Sequence, residues 1–576
     1  MEKQWSGLAD SPPPGYQPPI LFDSMIDDRD VMVPMRDGIR LCVDVYRPAT
    51  EGKFPALLAL ARHNKEMQTP EVAEALAQQP AWSPLWMGIS EAGDTRYIVS
   101  RGYVHVIGNP RGVGKSEDGG SADWDLYDVI EWIARQPWCD GNVGMVGISA
   151  FGSAQLQAAM QQPPHLKAIF PYDPRGAWDF RDRHPGGLLH VFLYLLEQFS
   201  VVHGNKGFPG KLLPEMEKLW QIAMNNRDYR MYAHIFNIIV MRGQLMPHIF
   251  ETLLNPYDTE EAVKKADEDF KKIKIPVYTG SGWYGYTYKL HLQGCQHWYN
   301  AINTKKKLLL TGPAHLERPF HAFHDEILRW YDYWLKGVDT GIMDEPSVKV
   351  WVMGDNKWRY ADDWPLPETR WTKYYLNSWE RLRTQPYTPS SHDGYEEPDT
   401  FVQMPMTHTT KVQRLRYMTE PLAEDTLVIG PITLNIYAAI DQEDSSWIVI
   451  LKDIGPDVSV RTAREGEREV PTNLPERELT RGWLKASHRA VDPVRSKPWK
   501  PWHPLTKEAQ KPVVLGEINE YAIEIVSTAN LFKKDHRICI DITSLDMPTG
   551  TAGATNVEYI PYHICSSKTT VHKIYH

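Results

Sequence analysis

The chain predicts an α/β protein built on a parallel, doubly wound sheet, with a helical insertion and an all-β region towards its C-terminal end. Three observations carry this. Strand-length apolar runs alternate with helically spaced segments through residues 1–180. The stretch 181–271 is rich in Leu, Met, Tyr and Phe at helical spacing. Beyond about 346 the pattern turns to short strands separated by Gly, Pro, Asn and Asp. The partition is therefore 1–180 with 272–345 as the core, 181–271 as a helical cap and 346–576 as a β-sandwich. At 576 residues the chain exceeds one ordinary core, so two or three domains are expected.

The first twenty residues are proline-rich and read as extended surface chain. Val31 to Tyr46 reads as a hairpin, with apolar alternation on both sides of Arg36-Asp37-Gly38. Phe54 to Ala61 and Tyr103 to Ile107 are continuous apolar runs, as strands covered on both faces require. Asp125 to Ile133 has helical spacing, and Val143 to Val146 and Ala168 to Phe170 are the next strands. In the insertion, Asp258 with Glu261 reads as the capping box of the last helix. Strands return at Ile275 to Gly280 and Lys307 to Thr311, and Ile327 to Leu335 is an amphipathic helix. The β-region opens with a strand at Val348 to Met353, and Arg461 to Glu478 reads as a long charged loop.

Composition narrows the classes of function. Net charge is −10, which leaves no basic footprint for nucleic acid or an anionic membrane surface. No apolar run approaches a membrane span, and Met1-Glu2-Lys3-Gln4-Trp5 does not open a signal pattern. The five cysteines are scattered, without C-x-x-C, which fits a reducing compartment and a cytoplasmic location. His321-Ala-Phe-His324 has metal-like spacing but lacks nearby cysteine or carboxylate ligands, so no metal and no cofactor are expected. Arg111-Gly112-Val113-Gly114-Lys115-Ser116 lacks Walker spacing and reads as a structural loop.

The chemistry is concentrated at Val143-Gly144-Met145-Val146-Gly147-Ile148-Ser149-Ala150-Phe151-Gly152. A strand ends in a serine among small residues, and a helix follows. A sharp strand-to-helix turn of this kind lifts a hydroxyl clear of the sheet edge. The helix aims free N–H groups at charge developing there. The glycine spacing is G-x-S-x-x-G, and an ordinary βα turn uses the same small residues, so context has to decide.

That context comes from several separated segments. Pro137-Trp138-Cys139-Asp140-Gly141-Asn142 leads into the elbow. Leu310-Thr311-Gly312-Pro313-Ala314-His315, Tyr333-Trp334-Leu335-Lys336-Gly337-Val338-Asp339 and Thr480-Arg481-Gly482-Trp483-Leu484-Lys485-Ala486-Ser487-His488-Arg489 follow in order. With these the chain resembles the CocE/NonD group of serine hydrolases, which spans cocaine esterases, X-prolyl dipeptidyl-peptidases and α-amino-acid ester hydrolases. The resemblance implies an α/β-hydrolase core, a helical cap and a C-terminal jelly-roll domain. It implies Ser149 as nucleophile and His315 as base, with His291, His297, His321 and His324 as nearby competitors. It also places the Ala150 N–H in the oxyanion hole.

The sequence departs from the group at two positions. The group's Gly-Trp-Tyr-Asp is Gly282-Trp283-Tyr284-Gly285 here, so the acid is missing, while Trp283 and Tyr284 remain as pocket residues. Asp173, after the next strand beyond the elbow, is the replacement candidate; its other reading is a turn or cap-anchoring residue. A Ser-His dyad without an acid is a further alternative. The group's Pro-Tyr-x-Lys is Arg62-His63-Asn64-Lys65, so His63 stands where a tyrosine hydroxyl holds the oxyanion.

The expectation is an acyl hydrolase that works through an acyl-enzyme on an ester, thioester or amide of a small organic substrate. Two alternatives stay open. One is non-hydrolytic acyl transfer, cyclisation or proton transfer on a natural product. The other is a binding protein on a decayed hydrolase scaffold. The expected partner is a small-molecule acyl substrate, and a homodimer is left open.

Overall fold

The computed structural model describes residues 16–77, 91–176, 179–190, 214–232, 254–283, 286–312, 323–387, 397–409, 411–455, 459–461, 469–471, 476–546 and 563–576. Ten strands make the first sheet: β1 Met25–Pro34, β2 Arg40–Pro48, β3 Phe54–Leu60, β4 Val104–Gly108, β5 Cys139–Met145, β6 Leu166–Ile169, β7 Val277–Gly282, β8 Lys306–Thr311, β9 Val348–Val352 and β10 Lys357–Ala361. Their order is β1-β2-β4-β3-β5-β6-β7-β8-β9-β10.

The run β4-β3-β5-β6-β7-β8-β9 is parallel throughout. β1 and β2 form the expected hairpin around Arg36-Asp37-Gly38, closed by the Met35 N–H to Ile39 carbonyl bond of 2.8 Å. That hairpin joins β4 antiparallel, and β10 joins β9 antiparallel. The sheet is therefore mixed, which corrects the purely parallel expectation. A three-residue turn can only return the chain antiparallel, so a tight hairpin at the edge dictates this. β3 is buried from Pro55 to Leu60, as its unbroken apolar run requires.

β9 corrects a second expectation. The strand assigned to the start of the β-sandwich pairs in parallel with β8, so the large sheet runs past residue 346. Its five residues are all buried. The second sheet also has ten strands. In hydrogen-bonded order they are Tyr375–Asn377, Arg381–Arg383, Arg414–Met418, Arg537–Thr543, Ser446–Ile454, Glu476–Lys485, Asn519–Phe532, Thr426–Ile440, Thr570–Tyr575 and Asp399–Gln403. This pairing joins them into one order, and by itself it does not separate two facing layers. The two sheets meet where Met353 donates its N–H to Ala529 at 3.0 Å and accepts from Leu531 at 2.8 Å.

In the insertion the described helices are Asp179–Arg183, Pro214–Met224, Arg227–Met231 and Glu260–Lys272. Residues 191–213 and 233–253 of the expected cap lie outside the described residues. The cap of the last helix is one residue later than the Asp258–Glu261 reading: Thr259 accepts the Ala262 N–H at 3.1 Å. Asp258 is instead buried and pairs with Arg181 at 3.1 Å, while Arg181 also donates to the His503 and Pro504 carbonyls. The charged stretch 461–478 is not one loop. Ser459–Arg461 pairs with Glu469–Pro471, and Glu476 already begins a long strand.

The Arg111 loop is structural, as read: Arg111 pairs with Asp37 and Asp125 at 2.6 Å each. All five cysteines are free and buried. Among the described residues no helix is long and apolar enough to cross a membrane.

Buried histidines give the fold an acid sensitivity with a definite sign. Burial holds His105, His184 and His572 down to about 3, against an ordinary value of 6.5. Between these values the unfolded chain binds more protons, so stability is complete above 6.5 and is lost as pH falls towards about 3. Thermal unfolding followed from pH 7 to pH 4 should show a falling Tm. His105→Gln, which keeps a partner for Thr95, should flatten that slope.

Candidate active site

The elbow grows from the end of β5. Ser149 has φ 58° and ψ −109°, and the helix Ala150–Gln161 starts immediately after it. Holding a non-glycine residue there costs about 1–3 kcal/mol, and the surroundings must supply it. They do so on both flanks. The Ser149 N–H donates to the Tyr172 carbonyl at 3.0 Å, and the Ile148 N–H donates to the Glu91 carbonyl at 3.0 Å. The Ser149 carbonyl accepts from the Ser153 N–H at 2.9 Å and from the Ser153 hydroxyl at 3.0 Å. Buried Gln155 ties the Gly147 carbonyl at 3.1 Å to the Phe170 N–H at 2.9 Å.

These bonds explain the displaced glycine. Gly152 faces the Tyr172 carbonyl so closely that a Cβ there would stand 2.4 Å from the oxygen. Position 151 carries no such restriction, and Phe151 is buried in the core. The helix also does what the sequence asks of it. Ala150 is its first residue, so its N–H lies in the turn where helix geometry provides no acceptor.

The first histidine that the described residues bring to Ser149 is His291. Its Nε2 lies 3.4 Å from the Ser149 Oγ, and the ring is buried. It belongs to the helix Tyr286–Ala301, which follows β7. That helix is pressed onto the chain just past Asp173. Gly294, nearly one turn beyond His291, leaves room for the Pro174 carbonyl, which a Cβ would approach to 2.3 Å. Trp298, four residues further on, donates its indole N–H to the Arg175 carbonyl at 2.7 Å. His291 appeared in the sequence only as a competitor. Its signal was the helical spacing of His291, Gly294 and Trp298, which a strand-end motif does not capture.

His315 lies outside the described residues, as do Tyr284, Gly285 and His321. His324 is turned to other work, stacked on Tyr97 with ring centroids 3.5 Å apart. Trp283 is fully buried, and its indole N–H donates to the Trp351 carbonyl at 2.6 Å. It therefore fastens the end of β7 to β9.

Asp173 is fully buried at the end of β6 with φ 50°, and its N–H donates to the Gly280 carbonyl of β7 at 2.8 Å. Its charge reaches the helix above it: burial, and then the Asp173 carboxylate, push the Cys295 thiol well above its usual range. His63 follows β3, with its ring centroid 6.0 Å from that of Phe151 and its Nε2 3.5 Å from the Glu91 carboxylate. Ser149, Asp173 and His63 thus follow the C-terminal ends of three adjacent parallel strands, β5, β6 and β3. This is the edge where open α/β sheets bind ligands.

A family model described as X-Pro dipeptidyl-peptidase (S15 family) matches residues 37–317, and the model of that family's C-terminal non-catalytic domain matches 340–561. The chain belongs to the S15 family. The S15 assignment makes it a hydrolase-type enzyme, and nothing in it adds support for transferase or cyclase chemistry. A cocaine esterase from Rhodococcus sp. is 25% identical over 94% of this chain and 96% of its own length. In fold, a CocE/NonD family hydrolase from Staphylococcus aureus superimposes with TM-score 0.69 at 22% identity, covering 96% of this chain and 92% of its own. An α-amino acid ester hydrolase gives 0.67 at 17% identity over 96% and 94% of the two chains.

The Gly152 contact has a checkable consequence. Gly152→Ala forces either the elbow helix or the β6 end to move, an overpacking cost of about 1–3 kcal/mol. The variant should show a lowered Tm together with activity reduced more than the stability loss accounts for.

Proposed function

We propose that the protein is a serine acyl hydrolase for an ester, thioester or amide of a small organic substrate. The observation that carries this is the Ser149 Oγ to His291 Nε2 approach of 3.4 Å at the tip of a strained elbow. A serine hydroxyl needs an adjacent base, and such contacts are often long before substrate binds.

In the proposed reaction the Ser149 Oγ bonds to the acyl carbon while its proton passes to His291. Negative charge on the former carbonyl oxygen is held by the Ala150 N–H and by His63. The intermediate collapses, the alcohol, thiol or amine leaves, and it takes the proton from His291. Water then attacks the acyl-enzyme, gives its proton to His291, and the carboxylic acid departs as Ser149 recovers its hydrogen. Asp173 is the carboxylate proposed to orient the base. Its burial and its place beneath the His291 helix support that role. His315, implied by the resemblance, is the rival base.

The substrate is proposed to be an ester in preference to an X-prolyl peptide. The esterase relative covers nearly the whole chain. The C-terminal β-region is proposed to be a jelly roll and the insertion a helical cap, on the likeness to the CocE/NonD fold.

A fluorophosphonate probe should label Ser149, and p-nitrophenyl acetate should give a burst of p-nitrophenol. Ser149→Ala should abolish both. Full esterase activity in that variant would sink the proposal. His291→Ala should lower kcat by about 10³-fold or more, as loss of a triad member does. Should His315→Ala alone have that effect, the base is His315.

A further inference from the structure

We propose that Glu91 is a positioning residue of this site, holding His63 as an imidazolium whose Nδ1–H is the side-chain donor to the oxyanion. The inference rests on the serine-hydrolase reading above and extends it to a residue that neither the motifs nor the resemblance singled out.

Glu91 is bound to the elbow through its backbone. Its N–H and that of Ala92 donate to the Gln68 side-chain oxygen at 2.6 and 3.0 Å, and Gln68 is fully buried. Its carbonyl accepts the N–H of Ile148, the residue before the nucleophile. The Glu91 backbone is therefore fixed relative to Ser149, and with Glu91 6% exposed its side chain is largely out of water. A buried carboxylate is costly unless a cation or donors face it. His63 Nε2 stands 3.5 Å away, on the opposite loop.

That loop is equally fixed. Lys65, two residues on, is buried and places its ammonium 2.9 Å from Asp44, 3.0 Å from Asp30 and 3.2 Å from Glu66. Its backbone N–H donates to the Asn109 side chain at 2.6 Å. Among the described residues, Glu91 faces His63 across the gap, and Arg62, Lys65 and Glu66 are the charged residues along its own loop. Lys65 is held by its three carboxylates, and Glu91 is the carboxylate that faces the His63 ring.

The chemistry then follows from donor counting. An ionised carboxylate only accepts, so the nitrogen facing Glu91 carries a proton. In a neutral ring that leaves Nδ1 as an acceptor, which repels an oxyanion. Only the imidazolium donates from both nitrogens, and the adjacent carboxylate favours that charged form. A tyrosine hydroxyl at position 63 would need no such partner. The histidine therefore makes Glu91 necessary.

The test is a double-mutant cycle in the full-length enzyme with a p-nitrophenyl ester. Glu91→Gln should lower kcat by about tenfold or more with KM nearly unchanged, as befits weakening one oxyanion donor. It should also move the alkaline limb of the pH profile to lower pH, because His63 then loses its proton more easily. In a His63→Tyr background the same Glu91→Gln change should have no further effect on kcat or on that limb. Equal losses in both backgrounds, or an unmoved alkaline limb, overturn the role assigned to Glu91. Fluorophosphonate labelling of Ser149 separates the two levels. Labelling with no coupling between 63 and 91 removes this inference alone, and absence of labelling in the wild type removes the serine-hydrolase reading beneath it.

Discussion

The bond from the Ser149 N–H to the Tyr172 carbonyl is the constraint on which the site depends. It carries the β5–β6 pairing past the regular strand ends and fixes the turn at the height where the elbow helix must begin. Everything near the nucleophile is then measured from Tyr172. Gly152 is small because that carbonyl lies over it. Asp173 is turned inward because it is the next residue, tied in turn to Gly280 of β7. The Tyr172 side chain is held as well, its hydroxyl 2.7 Å from the Thr311 hydroxyl at the end of β8. Tyr172 and the adjacent Asp173 thus link the tips of β5, β6, β7 and β8.

Around this rigid centre the site is assembled from segments distant in sequence. The His63 loop is anchored through Lys65 to two acids on the β1–β2 hairpin, and the Glu91 segment is anchored through Gln68. The His291 helix is seated by close backbone contact at Gly294 and by the Trp298 bond. These are different fastenings: a buried ion network, amide hydrogen bonds, and packing. Each holds a group to be aligned with the Ser149 hydroxyl.

The local parts of this arrangement were legible in the sequence. The elbow is contiguous, and its turn chemistry is written in Gly147, Ser149 and Gly152. The hairpin at Arg36-Asp37-Gly38 and the doubly covered β3 are likewise decided by neighbours along the chain. What was not legible depends on partners far away. His291 reads as one histidine among several until the helix is laid over Pro174 and Arg175. Trp283 shows no anchoring role until β9 arrives to take its N–H. β9 itself has the same length and composition as a sandwich strand. Only the pairing with β8 assigns it to the first sheet. The capping error at Asp258 has the same origin, since the acid is taken by Arg181 and the hydroxyl next to it is left to cap the helix.

That Arg181–Asp258 pair has a consequence for how the molecule can change. The two residues bracket the greater part of the inserted segment, so their contact clasps the chain before and after it. Closing a loop grows more costly only slowly with its length, about 0.6 kcal/mol per doubling. Once the neck is clasped, a change in the length of the chain between 181 and 258 adds little closure cost. The neck also touches the second domain through His503 and Pro504, so the clasp is shared by all three parts of the chain.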